Sequence, residues 1–167
     1  MTARAKPPFR LEPLGPHHPI AQFASGNAAI DAYLQTSALA EQQMGLSRIT
    51  VALDPKGQDA IIGFLTLSPL SIRIDPGVLA ALGLAAVPYP AVGGYLLGRL
   101  GVDQRYQRRG IGAALVAVAV AQARHGQATT GGAFLGVDAK DDALLAWYER
   151  LGFVRLGSHT RRVVLRL

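Results

Sequence analysis

A run of glycines and arginines between two apolar segments is the part of this sequence best suited to bind an anion. The run reads Arg105-Tyr106-Gln107-Arg108-Arg109-Gly110-Ile111-Gly112-Ala113. Apolar residues from Ile111 to Arg124 predict a helix, so free backbone N–H groups and the positive end of the helix dipole gather at this turn. Glycines let an anion approach the backbone without meeting a Cβ atom. The run therefore predicts a phosphate-binding turn.

The glycine spacing separates this turn from two other nucleotide-binding loops. Gln107, Gly110 and Gly112 follow a Gln-x-x-Gly-x-Gly pattern after a strand that ends at Val102-Asp103. A dinucleotide-binding loop would carry a third glycine, and a P-loop would carry Gly-Lys-Ser/Thr. Neither is found in the sequence after Gly112. A plain tight turn with solvated arginines stays open as an alternative, because Gly-x-Gly alone is a weak signal.

A tyrosine near the C-terminal end of the sequence is the second residue that could do chemistry. Tyr148 stands in Trp147-Tyr148-Glu149-Arg150-Leu151-Gly152-Phe153, at the end of a helix predicted from Asp141 to Arg150. Taken alone, this pattern indicates a helix with core aromatic residues and a C-terminal glycine cap. For Trp147 we keep that interpretation.

Composition restricts the other kinds of site. The formal net charge is +6 and the pI is near 10.2, which favours an anionic partner such as a nucleotide cofactor, RNA or an acidic protein. The absence of cysteine excludes disulfides, thiolate metal sites and a cysteine nucleophile. His17 and His18 have no carboxylate or further histidine at ligand spacing, so we expect surface histidines and no metal.

The elements that must position these residues follow from periodicity. Residues 1–8 are predicted to be a disordered lead-in, and residues 9–167 a single domain. The pattern predicts a strand near Phe9, one or two helices between Asn27 and Met44, and a hairpin from Ser47 to Leu67 that continues past Pro69. From Tyr95 onward it predicts strand, helix ending at Gly126, strand, helix, strand and strand. The predicted class is α/β or α+β, with a mixed, partly antiparallel sheet flanked by helices.

Two features of the sequence bear on where in the cell the protein is found. No apolar run reaches the roughly 18 residues of a membrane span. Residues Met1 to Arg10 contain basic side chains but lack the apolar region of a secretory signal. We therefore expect a cytoplasmic protein with no membrane contact.

The two motifs together resemble the GNAT N-acetyltransferases, whose coenzyme A loop reads Gln/Arg-x-x-Gly-x-Gly/Ala and whose C-terminal motif reads Phe-Tyr-x-x-x-Gly-Phe. The resemblance extends to the branch that acts as toxins of toxin–antitoxin modules. It rests on Phe23-x-Ser25-Gly26-Asn27-x-x-Ile30-Asp31-x-Tyr33-Leu34 and on Val137-Asp138-Ala139-Lys140-Asp141-Asp142. Trp147 replaces the usual Phe, Leu144 the usual Ala, and Gly101 a common Ala.

The resemblance implies roles for particular residues, with acetyl-CoA as cosubstrate. Coenzyme A would bind at Arg108, Arg109, Gly110, Ile111, Gly112 and Ala113, and its pantetheine arm would pair with the backbone of Leu100, Gly101 and Val102 like an added strand. Tyr148 would be the general acid that protonates the leaving sulfur. The strand from Tyr95 to Val102 carries no carboxylate at its middle, so no general base is assigned.

The resemblance also implies a substrate and partners. Proteins of the toxin branch acetylate the α-amino group of aminoacyl-tRNA, which blocks translation. Candidate tRNA-binding cations are Arg48, Arg73, Arg99, Arg161 and Arg162. A ribbon-helix-helix antitoxin and a homodimer are further expected partners. Two alternatives stay open: acetylation of a small amine or a protein N-terminus, and a non-catalytic module that binds coenzyme A.

Overall fold

The computed structural model describes residues 8–57 and 59–167, so residues 1–7 of the predicted lead-in lie outside the described residues. The strands found in the described part are β1 (Arg10–Pro13), β2 (Arg48–Leu53), β3 (Ile61–Arg73), β4 (Ala91–Val102), β5 (Phe134–Asp138), β6 (Val154–Arg155) and β7 (Arg162–Arg166). The α-helices are α1 (Ala28–Thr36), α2 (Ala38–Gln43), α3 (Pro76–Leu82), α4 (Ile111–Thr130) and α5 (Asp142–Arg150). Two short 3₁₀ turns are Ile20–Gln22 and Gln104–Tyr106.

The strands form one mixed sheet in the order β1-β2-β3-β4-β5-β7-β6. β4 and β5 are parallel, with Tyr95 opposite Leu135 and Leu96 opposite Gly136. The pairs β1–β2, β5–β7 and β6–β7 are antiparallel. The predicted α/β class with a mixed, partly antiparallel sheet is therefore confirmed. β3 is one continuous strand through Pro69, as the sequence predicted.

The described chain divides into two compact units. The first comprises the residues up to Thr66 together with Arg99–Val116. Its core packs Phe23, which follows the first 3₁₀ turn, against aromatic and branched side chains of α1, β2 and β3, including Tyr33, Leu34, Ile49, Val51 and Phe64. Phe23 and Phe64 meet edge to face with their ring centroids 5.4 Å apart, an arrangement that aromatic pairs prefer.

The second unit comprises Leu67–Gly98 and Ala117–Leu167. Its core is built from Ile72, Val78, Leu82, Phe134 and Val164. Asp75 caps the N-terminus of α3, since its side chain accepts a hydrogen bond from the Val78 N–H, and Gly83 caps the C-terminus with a φ of 63°. Both features are common helix signals, so this short helix is set by its local sequence.

Helix α4 does not stop at Gly126, which corrects one prediction. It continues to Thr130, and the chain then turns at Gly131 and Gly132, with φ values of 93° and 118°. A Cβ atom on Gly126 would lie 2.5 Å from the Tyr95 hydroxyl, so the missing side chain serves close packing against Tyr95. In the described ranges, no helix combines the length and the apolar character that crossing a membrane requires.

The structure also corrects the prediction about the two adjacent histidines. His17 is exposed, but His18 is 4% exposed and lies beside a carboxylate from β1. Its Nε2 is 3.1 Å from Glu12 Oε2, and the His17 Nε2 is 3.7 Å from the same oxygen. This neighbour could not be predicted from residue spacing, because Glu12 reaches the histidines only through the fold of the intervening turn.

Candidate active site

The predicted phosphate-binding turn lies at the N-terminus of α4, in the first unit. The Gly110 carbonyl accepts the first helical hydrogen bond, from Ala114 N–H at 3.0 Å. The amides of Ile111, Gly112 and Ala113 fall in the first turn, where helix geometry offers no carbonyl partner. Gly110 has a φ of 76°, and a Cβ atom built there would find open space within 4 Å. This open space beside unpaired amides fits a phosphate group.

A buried aspartate fixes the start of this turn. Asp103 is 1% exposed and accepts hydrogen bonds from the Arg105 backbone and guanidinium at 2.8 to 3.0 Å, and from Ala24 N–H at 3.2 Å. Burial by itself would raise the pKa of Asp103, but these hydrogen bonds lower it overall. Asp103 therefore stays ionised and joins the end of β4 to the segment before α1.

Gln107, the first residue of the glycine motif, has a structural part in the turn. Its Nε2 donates to the Val102 carbonyl at 2.8 Å and to the Ser25 carbonyl at 2.7 Å. Ser25 is itself held in place, because its N–H and its Oγ both donate to Asp31 Oδ1, at 2.8 and 2.6 Å. The glutamine thus joins β4, the turn and the start of α1. The sequence placed Gln107 in the motif but could not show what its amide binds.

The arginines of the turn differ in how they are held. Tyr106 lies between Arg105 and Arg109, whose Cζ atoms are 5.7 and 5.5 Å from its ring centroid. Its hydroxyl donates to Asp54 Oδ2 at 2.7 Å, and this hydrogen bond raises the pKa of Tyr106. Arg108 is exposed and adopts a φ of 60°, unusual for a residue with a side chain. Arg108 and Arg109 therefore present positive charge beside the free amides.

The end of β4 carries the residues predicted to bind the pantetheine arm. The amides of Arg99 and Asp103 donate to β3, to Thr66 Oγ1 and to the Ile62 carbonyl, each at 2.9 Å. Because strand residues alternate, the main-chain groups of Leu100 and Val102 point to the opposite edge. The Val102 carbonyl there already accepts from Gln107. By the same alternation, the Leu100 N–H and C=O and the Val102 N–H face the edge at which the predicted pantetheine arm would pair.

Gly101 has a packing reason for its missing side chain. A Cβ atom there would lie 2.8 Å from both Ile30 Cγ2 and Phe64 Cε1. These distances are shorter than packed carbon atoms allow, so alanine would force the core to shift. The departure from the common family residue is therefore explained by the core of the first unit.

Tyr148 lies in the second unit, on α5, and is 5% exposed. Its ring meets Trp147 and Phe153 edge to face, with centroids 4.9 and 5.4 Å away. Burial raises the pKa of Tyr148 to about 12. Within the described residues no hydrogen bond to its hydroxyl is found. The side chain is thus a packed aromatic residue whose O–H remains available to a ligand.

The five predicted substrate cations fall into different environments. Arg162 donates to both oxygens of Asp138, each at 2.6 Å, and Arg161 donates to Asp142 Oδ1 at 2.9 Å. Arg48 and Arg73 are exposed residues at strand ends. Arg99 lies over the Tyr33 ring, with Cζ 3.8 Å from the centroid. Tyr33 is a residue that sequence reasoning missed; its place in the quoted N-terminal pattern was the available signal.

The mixed sheet and its flanking helices define the class as an α/β protein, with the glycine turn at the start of α4 as its predicted anion site. The sequence model of the acetyltransferase (GNAT) family matches residues 30–153. The chain belongs to this family, which confirms the predicted family and enzyme class. Acetyl-CoA, the predicted cosubstrate, is the one that GNAT enzymes use.

Solved toxin structures share the fold. AtaT complexed with acetyl-methionyl-tRNAfMet is 22% identical with a TM-score of 0.82, over 95% of this chain and 94% of that one. A tyrosine-to-phenylalanine mutant of AtaT, bound to the C-terminus of the antitoxin AtaR and acetyl-CoA, is 21% identical with a TM-score of 0.79, over 95% and 93%. A KacTA–DNA complex is 21% identical with a TM-score of 0.78, over 95% and 92%.

Proposed function

We propose that this protein transfers the acetyl group of acetyl-CoA to the α-amino group of aminoacyl-tRNA, and that it acts as a translation-blocking toxin. The observation that carries the acetyltransferase part is the turn at Gly110, where free amides, open space and two exposed arginines occur together. The substrate part is supported by the net charge of +6 and by the fold shared with AtaT, whose solved complex contains acetyl-methionyl-tRNAfMet.

The residues of the turn suit the pyrophosphate of coenzyme A. The amides of Ile111, Gly112 and Ala113 would hold its oxygens, and Arg108 and Arg109 would offset its charge. Leu100 and Val102 would pair with the pantetheine arm as a neighbouring strand does. Gly101 takes part by letting β4 pack closely, since its own main-chain groups face β3.

Acetyl transfer needs a neutral amine and a polarised carbonyl. The thioester supplies the acetyl group, and the free Leu100 or Val102 N–H would donate a hydrogen bond to its carbonyl oxygen. An α-amine has a reference pKa of about 7.7 to 8.0, against about 10.4 for a lysine side chain. A much larger fraction of an α-amine than of a lysine side chain is therefore neutral at physiological pH, so no side-chain base is assigned. The proton that the amine nitrogen loses on forming the amide would pass to water, from which Tyr148 would regain the proton it gives to the sulfur.

Tyr148 would donate the proton that the leaving sulfur takes up. Its raised pKa of about 12 keeps the phenol protonated at neutral pH, as an acid must be before the reaction. Its hydroxyl makes no hydrogen bond within the described residues that a ligand would have to break. Packing against Trp147 and Phe153 would hold the ring in place.

Partners and location follow from the same proposal. An antitoxin of the ribbon-helix-helix type would neutralise the toxin, in keeping with the AtaT complex that contains the C-terminus of AtaR. Aminoacyl-tRNA is found in the cytoplasm, so we place the protein there. A homodimer is a further proposed partner.

The test is a turnover assay with acetyl-CoA labelled in the acetyl group and bulk aminoacyl-tRNA. We expect label in the tRNA fraction, released on deacylation as N-acetyl amino acids. A parallel assay would contain deacylated tRNA, small amines and peptides with free N-termini. Labelling of those amines alone would replace the tRNA proposal with an ordinary amine acetyltransferase, and coenzyme A binding without turnover would indicate a non-catalytic module.

A further inference from the structure

Arg99 is held by an aromatic ring rather than by an acidic side chain. Its Cζ lies 3.8 Å from the centroid of Tyr33. In contrast, Arg105, Arg161 and Arg162 each donate to an aspartate. Within the described residues Arg99 forms no ion pair, and the Glu41 carboxylate beyond Tyr33 accepts a hydrogen bond from the Tyr33 hydroxyl. A cation over a ring face also keeps its N–H groups free for another acceptor.

The Tyr33 ring under Arg99, which we call the Tyr33 platform, is held in place by its own contacts. Tyr33 is 5% exposed and stacks on Phe64 at a centroid distance of 6.3 Å. Its hydroxyl donates to Glu41 Oε2 at 2.7 Å. Desolvation and this hydrogen bond raise the pKa of Tyr33 well above its usual value, so the hydroxyl remains a donor. A rigid ring under a free guanidinium reduces the entropy lost when a ligand binds.

The position of Arg99 in the chain relates it to the acetyl group. Arg99 directly precedes Leu100, whose main-chain groups are proposed to hold the thioester end of the cofactor. Consecutive Cα atoms are about 3.8 Å apart, so the Arg99 side chain would start beside the proposed thioester position. On aminoacyl-tRNA, the groups next to the amine are the aminoacyl ester and the phosphates of the single-stranded 3′ end. The planar fork of a guanidinium matches phosphate oxygens.

We propose that Arg99, supported by Tyr33, binds a backbone phosphate at the 3′ end of the acceptor tRNA. This inference rests on the proposed function. Arg99 is then a binding residue that orients the aminoacyl end, and Tyr33 is its positioning residue. Arg109 also lies against a tyrosine ring, that of Tyr106, but its Cζ is 5.5 Å from the ring centroid, against 3.8 Å for Arg99 over Tyr33.

The experiment measures steady-state kinetics for Arg99→Gln and Arg99→Lys with whichever aminoacyl-tRNA the wild type acetylates. We expect Arg99→Gln to raise the KM for aminoacyl-tRNA by about tenfold to 100-fold. The inhibition constant of deacylated tRNA should rise by the same factor, because that probe keeps the phosphates and lacks the aminoacyl group. Arg99→Lys should recover only part of the loss, since it keeps the charge but not the planar fork.

Further measurements separate binding from folding and from the proposed function itself. The KM for acetyl-CoA should be unchanged, and the melting temperature should fall only slightly, because one cation–π contact is lost. The slope of log affinity against log salt should flatten by about 0.7. The matched control is Arg124→Gln, an exposed arginine on α4. An unchanged inhibition constant for deacylated tRNA would overturn the phosphate contact. A wild-type protein that acetylates only other amines would overturn both proposals.

Discussion

The side-chain Nε2 of Gln107 donates to the main-chain carbonyl of Val102 at a distance of 2.8 Å. The same nitrogen donates to the Ser25 carbonyl at 2.7 Å. The end of β4, the phosphate-binding turn and the segment before α1 are therefore joined by a single amide group. Gln107 is therefore a residue that positions the turn.

Gln107→Glu should weaken acetyl-CoA binding about tenfold. The carboxylate would face two carbonyl oxygens, and losing both hydrogen bonds costs on the order of 1 to 2 kcal/mol. Calorimetric titration with acetyl-CoA would measure the change. The matched control is Gln127→Glu, because Gln127 Nε2 donates to the Gly132 carbonyl at 2.8 Å. Equal loss of affinity in both variants would contradict the positioning role of Gln107.

Gly110→Ala should reduce acetyl-CoA affinity as well as stability, because the added Cβ atom would occupy the open space proposed for the pyrophosphate. Gly110 has a φ of 76°, where a side chain costs about 1 to 2 kcal/mol of stability. Gly45 has a φ of 73°, and a Cβ atom there also meets open space. Gly45→Ala should therefore show a similar loss of melting temperature with unchanged affinity. If Gly110→Ala binds acetyl-CoA as the wild type does, the turn does not hold the pyrophosphate.

Gly112→Val extends the same test into the first turn of α4. A branched side chain at this position would stand among the amides proposed to bind the pyrophosphate. We expect loss of acetyl-CoA affinity in a protein that keeps its helical circular dichroism. Normal affinity in the folded variant would remove Gly112 from the proposed cofactor site.

Tyr148→Phe should lower kcat by about 10² to 10⁴ while acetyl-CoA still binds, because the variant keeps the packed ring and loses only the acidic proton. Turnover at saturating cofactor and a melting curve of the same preparation would test this. Tyr95→Phe is the control, since the Tyr95 hydroxyl donates to the Gly131 carbonyl at 2.7 Å. That control should lose about 0.5 to 1.5 kcal/mol of stability with turnover intact. Full-speed acetylation by Tyr148→Phe would leave water as the proton donor.

The pH dependence of turnover should have no descending limb below about pH 10. Burial raises the pKa of Tyr148 to about 12, so the phenol keeps its proton until the pH approaches that value. On the acid side, kcat/KM should rise as the substrate α-amine loses its proton, near its pKa of about 7.7 to 8.0. A pH–rate profile with a folded-state check at each pH would measure both limbs. A fall in rate centred near pH 7 would point to a different acid.

Features that are local along the chain could be predicted from the amino-acid sequence alone. The strand, glycine turn and helix between Tyr95 and Arg124 could be predicted because backbone preferences and free helix amides depend on neighbouring residues. The family followed from the same turn and from Tyr148 with its downstream Gly-Phe. Where a prediction used glycine alone, as at Gly126, it was wrong, because the packing of Tyr95 decides what that glycine does.

The residues that hold the turn in place come from segments far apart in the chain. Gln107 and Ser25 are 82 positions apart in the chain, and Ala24 and Asp103 are 79 apart. No periodicity links such partners; sheet order and the packing of α1 against β3 and β4 bring them together. The Tyr33 platform under Arg99 arises in the same way. Side-chain type and spacing can indicate a phosphate-binding turn, but contacts between distant segments depend on the assembled core.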